Sequence, residues 1–202
     1  MLKVENIGVF NIEGAFRGMR NPLESWDKSD NGGPKDLALA KKLVAAGTDH
    51  SKFMRQIFVS MDITTSMSLW SELDTYKVST VRNSTSRMHK LGSRLLTAED
   101  FSWDNEEGIV ELTPYRESFL KEINTRITVW QETKDKNLWR QIVLDLPASY
   151  NFLSTWTGNY QVLRAIYHAR KNHKQREFRE LCGGVIAKLP YSELITLEKE
   201  TK

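Results

Sequence analysis

Two short runs rich in β-branched and aromatic residues, 2–10 and 56–65, stand against a C-terminal half in which apolar residues recur at helical spacing. A chain divided in this way is neither all-helical nor all-β. The expected fold class is α+β, a small mixed or antiparallel sheet packed against long helices. In the first run Val4, Ile7, Val9 and Phe10 are the apolar positions and Gly8 interrupts them; the second, QIFVSMDITT, is the stronger strand. Between them, residues 20–35 (RNPLESWDKSDNGGPK) are crowded with Pro, Gly, Asn, Asp and Ser and read as a loop. A loop of about 15 residues usually binds something, covers a site or is disordered, and a tolerated surface insertion explains it equally well.

Asp36 opens a helix whose apolar stripe is Leu37, Leu39, Ala40, Leu43 and Val44, with Gly47 suited to its C-terminal cap. Residues 67–76 read as a second helix behind Ser66 as N-cap, 78–89 follow neither period, and 108–112 read as a short strand. Helices are expected over 117–130 and 135–145, the latter stopped by Leu146-Pro147. A third long helix is expected from near Gly158-Asn159 to about Lys188, with Gly183-Gly184 its weak point. No repeat divides the chain, so one domain over 1–202 is expected.

Composition removes several functions. The 29 Lys and Arg against 26 Asp and Glu leave a net charge of 29 − 26 = +3, with acids interspersed among the bases, which argues against a nucleic-acid partner. The single Cys182 makes no intrachain disulfide and has no basic motif beside it, so it reads as a small buried apolar residue. His50, His89, His168 and His173 show no i, i+4 pairing, and no metal site is expected. The first residues, MLKVENIGVFNIEG, carry acids and no long apolar stretch, and no uncharged run is long enough for a membrane span. A cytoplasmic protein without a membrane partner is expected, and Asn83-Ser84-Thr85 is not read as a glycan acceptor.

Two patterns carry chemistry. Asn159, Leu163, Ile166, Arg170, His173 and Glu177 advance by 4, 3, 4, 3 and 4 residues, which on one continuous helix puts all six on a single stripe. Gln161, Arg164, His168, Lys171, Lys174 and Arg179 then fall on the faces suited to water. Arg170 on the inward stripe requires an acceptor, which a structural carboxylate or an anionic or carbonyl-bearing ligand would supply. The second pattern, Arg82-Asn83-Ser84-Thr85-Ser86-Arg87, sets three hydroxyls and an amide between two guanidiniums, a composition that suits phosphate and also an ordinary helix cap.

Taken in order along the chain, these residues resemble the flavin-dependent thymidylate synthases. The stretch 146–181, LPASYNFLSTWTGNYQVLRAIYHARKNHKQREFREL, resembles that family's C-terminal signature: Leu146-Pro147, twelve residues on to Asn159, eleven more to Arg170, then His173 and Glu177. Gly47 followed by His50-Ser51-Lys52-Phe53 resembles the family's Gly-H-x-x-P-F segment, and residues 76–89 fall on its central motif, RHRxxSxNxxSxRY. Asn83 and Ser86 match that motif. Tyr76-Lys77-Val78 replace its Arg-His-Arg, Val81 its first serine and Met88 its last arginine, with Arg87 displaced by one; Arg55 replaces a histidine, and Val143 an arginine whose nearest substitute is Arg140.

The resemblance implies reductive methylation of dUMP to dTMP, with methylenetetrahydrofolate as carbon donor, NADPH as reductant and FAD as cofactor, in a homotetramer with sites shared between subunits. By the same resemblance Arg170 and Ser86 are the catalytic candidates, and Asn83, Ser84, Ser86, Arg87, Arg140 and Arg170 the substrate-binding ones. Arg55, Tyr76, Lys77, Asn159, Gln161 and His173 are the cofactor-binding candidates. The substitutions leave two alternatives open: a family member acting on another pyrimidine nucleotide, and a non-catalytic nucleotide-binding protein of the same fold.

Overall fold

Residues 1–198 are described by a computed structural model. It contains a four-stranded antiparallel sheet of β1 (Leu2–Phe10), β2 (Phe58–Ser66), β3 (Val81–Ser84) and β4 (Asn151–Asn159), in the order β1-β2-β4-β3. The register is visible in side-chain bonds. Thr65 Oγ1 donates to the Met1 carbonyl and Asn6 Nδ2 to Asp62, so numbers fall along β2 as they rise along β1. Between β2 and β4, Thr155 donates to Asp62 at 2.5 Å, while Met67 N–H donates to the Tyr150 carbonyl and Tyr160 N–H to that of Ile57.

Period-two burial explains why these segments are strands. Val59, Met61, Ile63 and Thr65 are buried, while Ser60, Asp62 and Thr64 on the other face stay half-buried. In β4, Ser154, Trp156 and Gly158 face inward, and Thr155 and Thr157 face out. The strand expected over 56–65 starts two positions late, and β4 has no counterpart among the sequence-based expectations, because NFLSTWTGN mixes small polar residues into its inward face.

The chain divides into two compact units. The first comprises Met1–Lys3, Ile63–Asp74 and Asn83–Ser154. It holds α3 (Met67–Leu73), α4 (Arg87–Lys90), α5 (Pro114–Thr133) and α6 (Lys136–Leu144). Ser66 caps α3 by accepting from Leu69 N–H, Thr113 caps α5 with Pro114 at its first position, and the Asp135 carboxylate accepts from Asn137 and Leu138 N–H at the start of α6. Its core joins Leu91, Leu96, Ile123, Ile127 and Ile142 to Phe101 and Trp103, whose rings stack at 4.3 Å. The strand expected at 108–112 reduces to one antiparallel bridge, Asp104 to Val110, around a turn at Gly108.

The second unit comprises Val4–Asp62, Thr75–Arg82 and the chain from Thr155. It holds α1 (Ile12–Met19), α2 (Pro34–Ala45), α7 (Tyr160–Arg170), α8 (Arg176–Glu180) and α9 (Glu193–Thr196). Phe16, Met54, Ile57, Tyr160, Leu163, Ile166, Phe178 and Leu194 are among its buried apolar groups. The long helix expected over 158–188 is corrected: α7 ends at Arg170, a short α8 follows, and Leu181–Val185 close one π-turn. The break is held by Arg179, whose Nη1 takes the carbonyls of His173 and Lys174 that a continuing helix would have used.

The loop at 20–35 is tied down. Asp36 is fully buried and receives Arg20 Nε at 2.7 Å, the Ser29 hydroxyl at 2.7 Å and Gly32 N–H at 2.9 Å. Tyr191 OH donates to the Gly32 carbonyl, and two 3-10 turns, Asn21–Leu23 and Trp26–Lys28, occupy the intervening chain. Among the described residues no helix is long and apolar enough to cross a membrane.

Candidate active site

In the second unit, α7 starts where Asn159 Oδ1 accepts from Val162 N–H at 3.0 Å. That bond commits the side chain of Asn159 to capping. Leu163 and Ile166 bury one face, and Arg170 comes at the last turn. The single stripe therefore holds only as far as Arg170. His173 lies in the following turn and Glu177 on α8. Arg170 Nε donates to the Tyr76 phenol oxygen at 3.1 Å, and its Nη1 lies 2.9 Å from His173 Nε2. The guanidinium also covers the Phe178 ring, 5.0 Å from its centroid. Tyr76 from the central motif and Arg170 and His173 from the C-terminal signature thus share one cluster.

The water-facing assignment for Arg164 is corrected. Arg164 is 7% exposed and donates Nη1 to the Leu194 and Ile195 carbonyls at 3.2 and 2.8 Å, and His168 Nε2 lies 3.1 Å from the Ile195 carbonyl. A signal for this exists in the sequence: Leu194-Ile195 is an apolar pair that needs a cover, and Arg164 and His168 are one turn apart on the helix that supplies it. Burial first, and the neighbouring Arg164 charge second, push the His168 imidazole below its ordinary pKa.

Beside that face is a cavity of about 650 Å³, walled by Gly47, Thr48 and Ser51 on one side and by Gln161, Arg164 and His168 on the other. Ser51 Oγ donates to Gln161 Oε1 at 3.2 Å and joins the walls. Of the cofactor candidates Gln161 lines this cavity; Arg55 and Lys77 are exposed elsewhere on the unit, and Tyr76 and His173 belong to the Arg170 cluster.

In the first unit, Asn83 and Ser84 lie on β3, and Ser86 precedes α4, all exposed. Thr85 Oγ1 donates to the Leu153 carbonyl, which fixes the strand end. Arg87 is half-buried, with Nη1 3.2 Å from Met67 Sδ and its guanidinium over the Phe152 ring. No carboxylate among the described residues pairs with it, and Ser84 and Ser86, close by in the sequence, are exposed. Arg140 is exposed on α6. Cys182 is buried, and burial pushes its thiol to about 11, which suits packing and not nucleophilic chemistry.

No family model and no curated protein matches the sequence. Solved structures do match. Thymidylate Synthase X (ThyX) from Helicobacter pylori, crystallised with FAD and dUMP, aligns over 98% of this chain and 98% of its own at 19% identity and a TM-score of 0.75. A second structure of that flavin-dependent enzyme, again complexed with FAD and dUMP, covers 97% of this chain and 98% of its own at 19% identity and a TM-score of 0.74. The chain has the ThyX fold.

Proposed function

We propose that this protein is an enzyme of the flavin-dependent thymidylate synthase type, binding FAD and a pyrimidine nucleotide, dUMP foremost, in an assembly of four copies in the cytoplasm. The observation that carries the reading is a convergence. Gly47, Thr48 and Ser51 from one segment that resembles that family's sequence, 47–53, and Gln161, Arg164 and Ala165 from another, 159–170, are far apart in the chain, yet they wall the same cavity in a chain that has the ThyX fold.

The residues of that cavity fit a flavin. About 650 Å³ lies within the roughly 300–1,000 Å³ of small-molecule sites. Val44, Ala165 and Ala169 offer apolar contact, and the Gln161 amide and Arg164 guanidinium offer donors for carbonyl or phosphate oxygens. When bound, FAD would carry the electrons between NADPH and the one-carbon unit of methylenetetrahydrofolate. The chain itself would supply positioning and charge. Arg170, aimed by the Tyr76 phenol, would stand against a pyrimidine carbonyl and stabilise negative charge developing on its oxygen. Arg87, which lacks an acidic partner among the described residues, would take the nucleotide phosphate with the Ser84 and Ser86 hydroxyls. Arg55, Lys77, Asn83 and Arg140 complete the set carried over by resemblance. Assembly is supported by Ile7, Phe10 and Phe58, large apolar side chains left 44–56% exposed on and beside the sheet.

Purified protein is expected to be yellow and to bind dUMP by calorimetry; colourless protein that binds neither FAD nor dUMP overturns the reading. A second reading, another pyrimidine nucleotide as substrate, is favoured by Tyr76-Lys77-Val78 in place of Arg-His-Arg, since a phenol now meets Arg170. A thermal-shift panel of pyrimidine monophosphates decides between the two by which one stabilises most. Release of labelled hydrogen from C5 of the uracil ring, with FAD and NADPH supplied, separates both from a non-catalytic binding protein.

A further inference from the structure

Arg164 sits where a guanidinium is costly. It is 7% exposed, and its bonds go to two neutral carbonyls, Leu194 O and Ile195 O, through Nη1 alone. Nε and Nη2 meet no acceptor among the described residues. The nearest carboxylate influence comes from Glu198, but that group is bonded to Lys171 Nζ and lies 3.6 Å from His168 Nδ1. Burial lowers the Arg164 pKa from its ordinary value, the response of a cation without an adequate counter-charge.

The cavity between α2 and α7 has Arg164 in its wall. Its lining is free of carboxylates among the described residues and includes a second donor, the Gln161 amide, whose oxygen is already engaged by Ser51 and whose nitrogen is left available. A buried cation beside an open, acid-free cavity is electrostatically incomplete, and the species that completes it is an anion.

We propose that Arg164 anchors an anion-binding subsite in this cavity, with the Gln161 amide nitrogen as its second donor, for a phosphate or carboxylate group of the bound ligand. The proposal deepens the reading of the cavity as a ligand site and rests on it, but not on the ligand being a flavin. Ser51 holds Gln161 in orientation, and Thr48 offers a further hydroxyl at the rim. The apolar remainder of the wall leaves room for the body of the molecule that bears the charge.

The test is calorimetric titration of the full chain with inorganic pyrophosphate and, separately, with glutarate. Saturable binding is expected for at least one, and the tighter of the two identifies the group as phosphate or carboxylate. Arg164→Met should weaken that binding by about tenfold or more, the loss of one charge-assisted contact, whereas Lys188→Ala, an exposed cation outside the cavity, should not. Because Arg164→Met also releases the carbonyls of 194 and 195, Ala165→Glu is the second variant. It sets a carboxylate on the wall from an exposed position and should weaken the anion with the melting temperature unchanged. Failure of both anions to bind, or binding equally tight in Arg164→Met and Ala165→Glu, overturns the proposal. FAD titration keeps the two readings apart. FAD binding undiminished by Arg164→Met overturns the subsite and leaves the flavin reading intact. Pyrophosphate or glutarate held through Arg164 by a protein that never binds FAD supports the subsite and removes the flavin reading.

Discussion

Arg20 and Asp36 make a buried ion pair in which each side chain answers for the other. Burial alone would raise the Asp36 carboxyl; Gly32 N–H, the Ser29 hydroxyl and Arg20 outweigh it and hold the group below its ordinary value. Asp36→Ala leaves a guanidinium buried without a partner and is expected to cost about 3–5 kcal/mol in denaturant unfolding. A folded-state pKa below the unfolded one gives stability that is present at neutral pH and lost as pH falls from about 4 through the folded value. His168 works in the same direction at a higher window: its imidazole is kept neutral in the fold, so melting temperature is expected to decline as pH falls below about 6.5. His168→Gln should flatten that part of the profile, and an unchanged slope in the variant would refute the assignment. Arg170→Ala tests the substrate role. Loss of dUMP binding with a nearly unchanged melting temperature is expected of a ligand residue, while a large fall in melting temperature marks a structural one.

Elements here are set by caps and close approaches as much as by periodicity. Ser66 is legible as a cap because its hydroxyl precedes an apolar run, and Leu69 N–H does bond to it at 3.2 Å. Gly47, with φ of 108°, ends the chain's turn after α2 in a conformation that β-carbon-bearing residues avoid. Gly92 combines both demands: φ is 82°, and a β-carbon there would come within 2.9 Å of Trp130 and 3.0 Å of Trp139. Gly92→Ala is expected to destabilise the unit by about 1–3 kcal/mol, through strain at positive φ and overpacking against the two indoles, and chemical denaturation measures it. The elements that periodicity misses share a cause. Strand β4 and strand β3 are polar along the face that sequence periodicity reads, and their identity comes from the neighbours they pair with in the sheet. The end of α7 has no glycine or proline to announce it, and Arg179 supplies the missing stop from nine residues beyond Arg170.

At the scale of the whole molecule, an assembly larger than one 23.4 kDa chain is expected, four copies by light scattering; a monomer at working concentration would remove the shared-site reading. This chain and ThyX, 19% identical, have the same fold, so one architecture is specified by two sequences that differ at most positions. By itself the sequence determined the α+β class, β1, α2 and α3, the helices around 117–145, and the buried character of Cys182, because those depend on near neighbours and on burial patterns within a few turns. The family resemblance is also a property of the sequence alone, carried by the spacing from Pro147 through Asn159 to Arg170. Only the tertiary structure decided that Arg20 and Asp36 pair inside the fold, that Tyr76 and His173 gather at Arg170, and that Arg164 is buried beside a cavity instead of facing water. In each case the reason is the same: the partner lies far away in the chain or in an element whose end is set by another's side chain, and no local period encodes it.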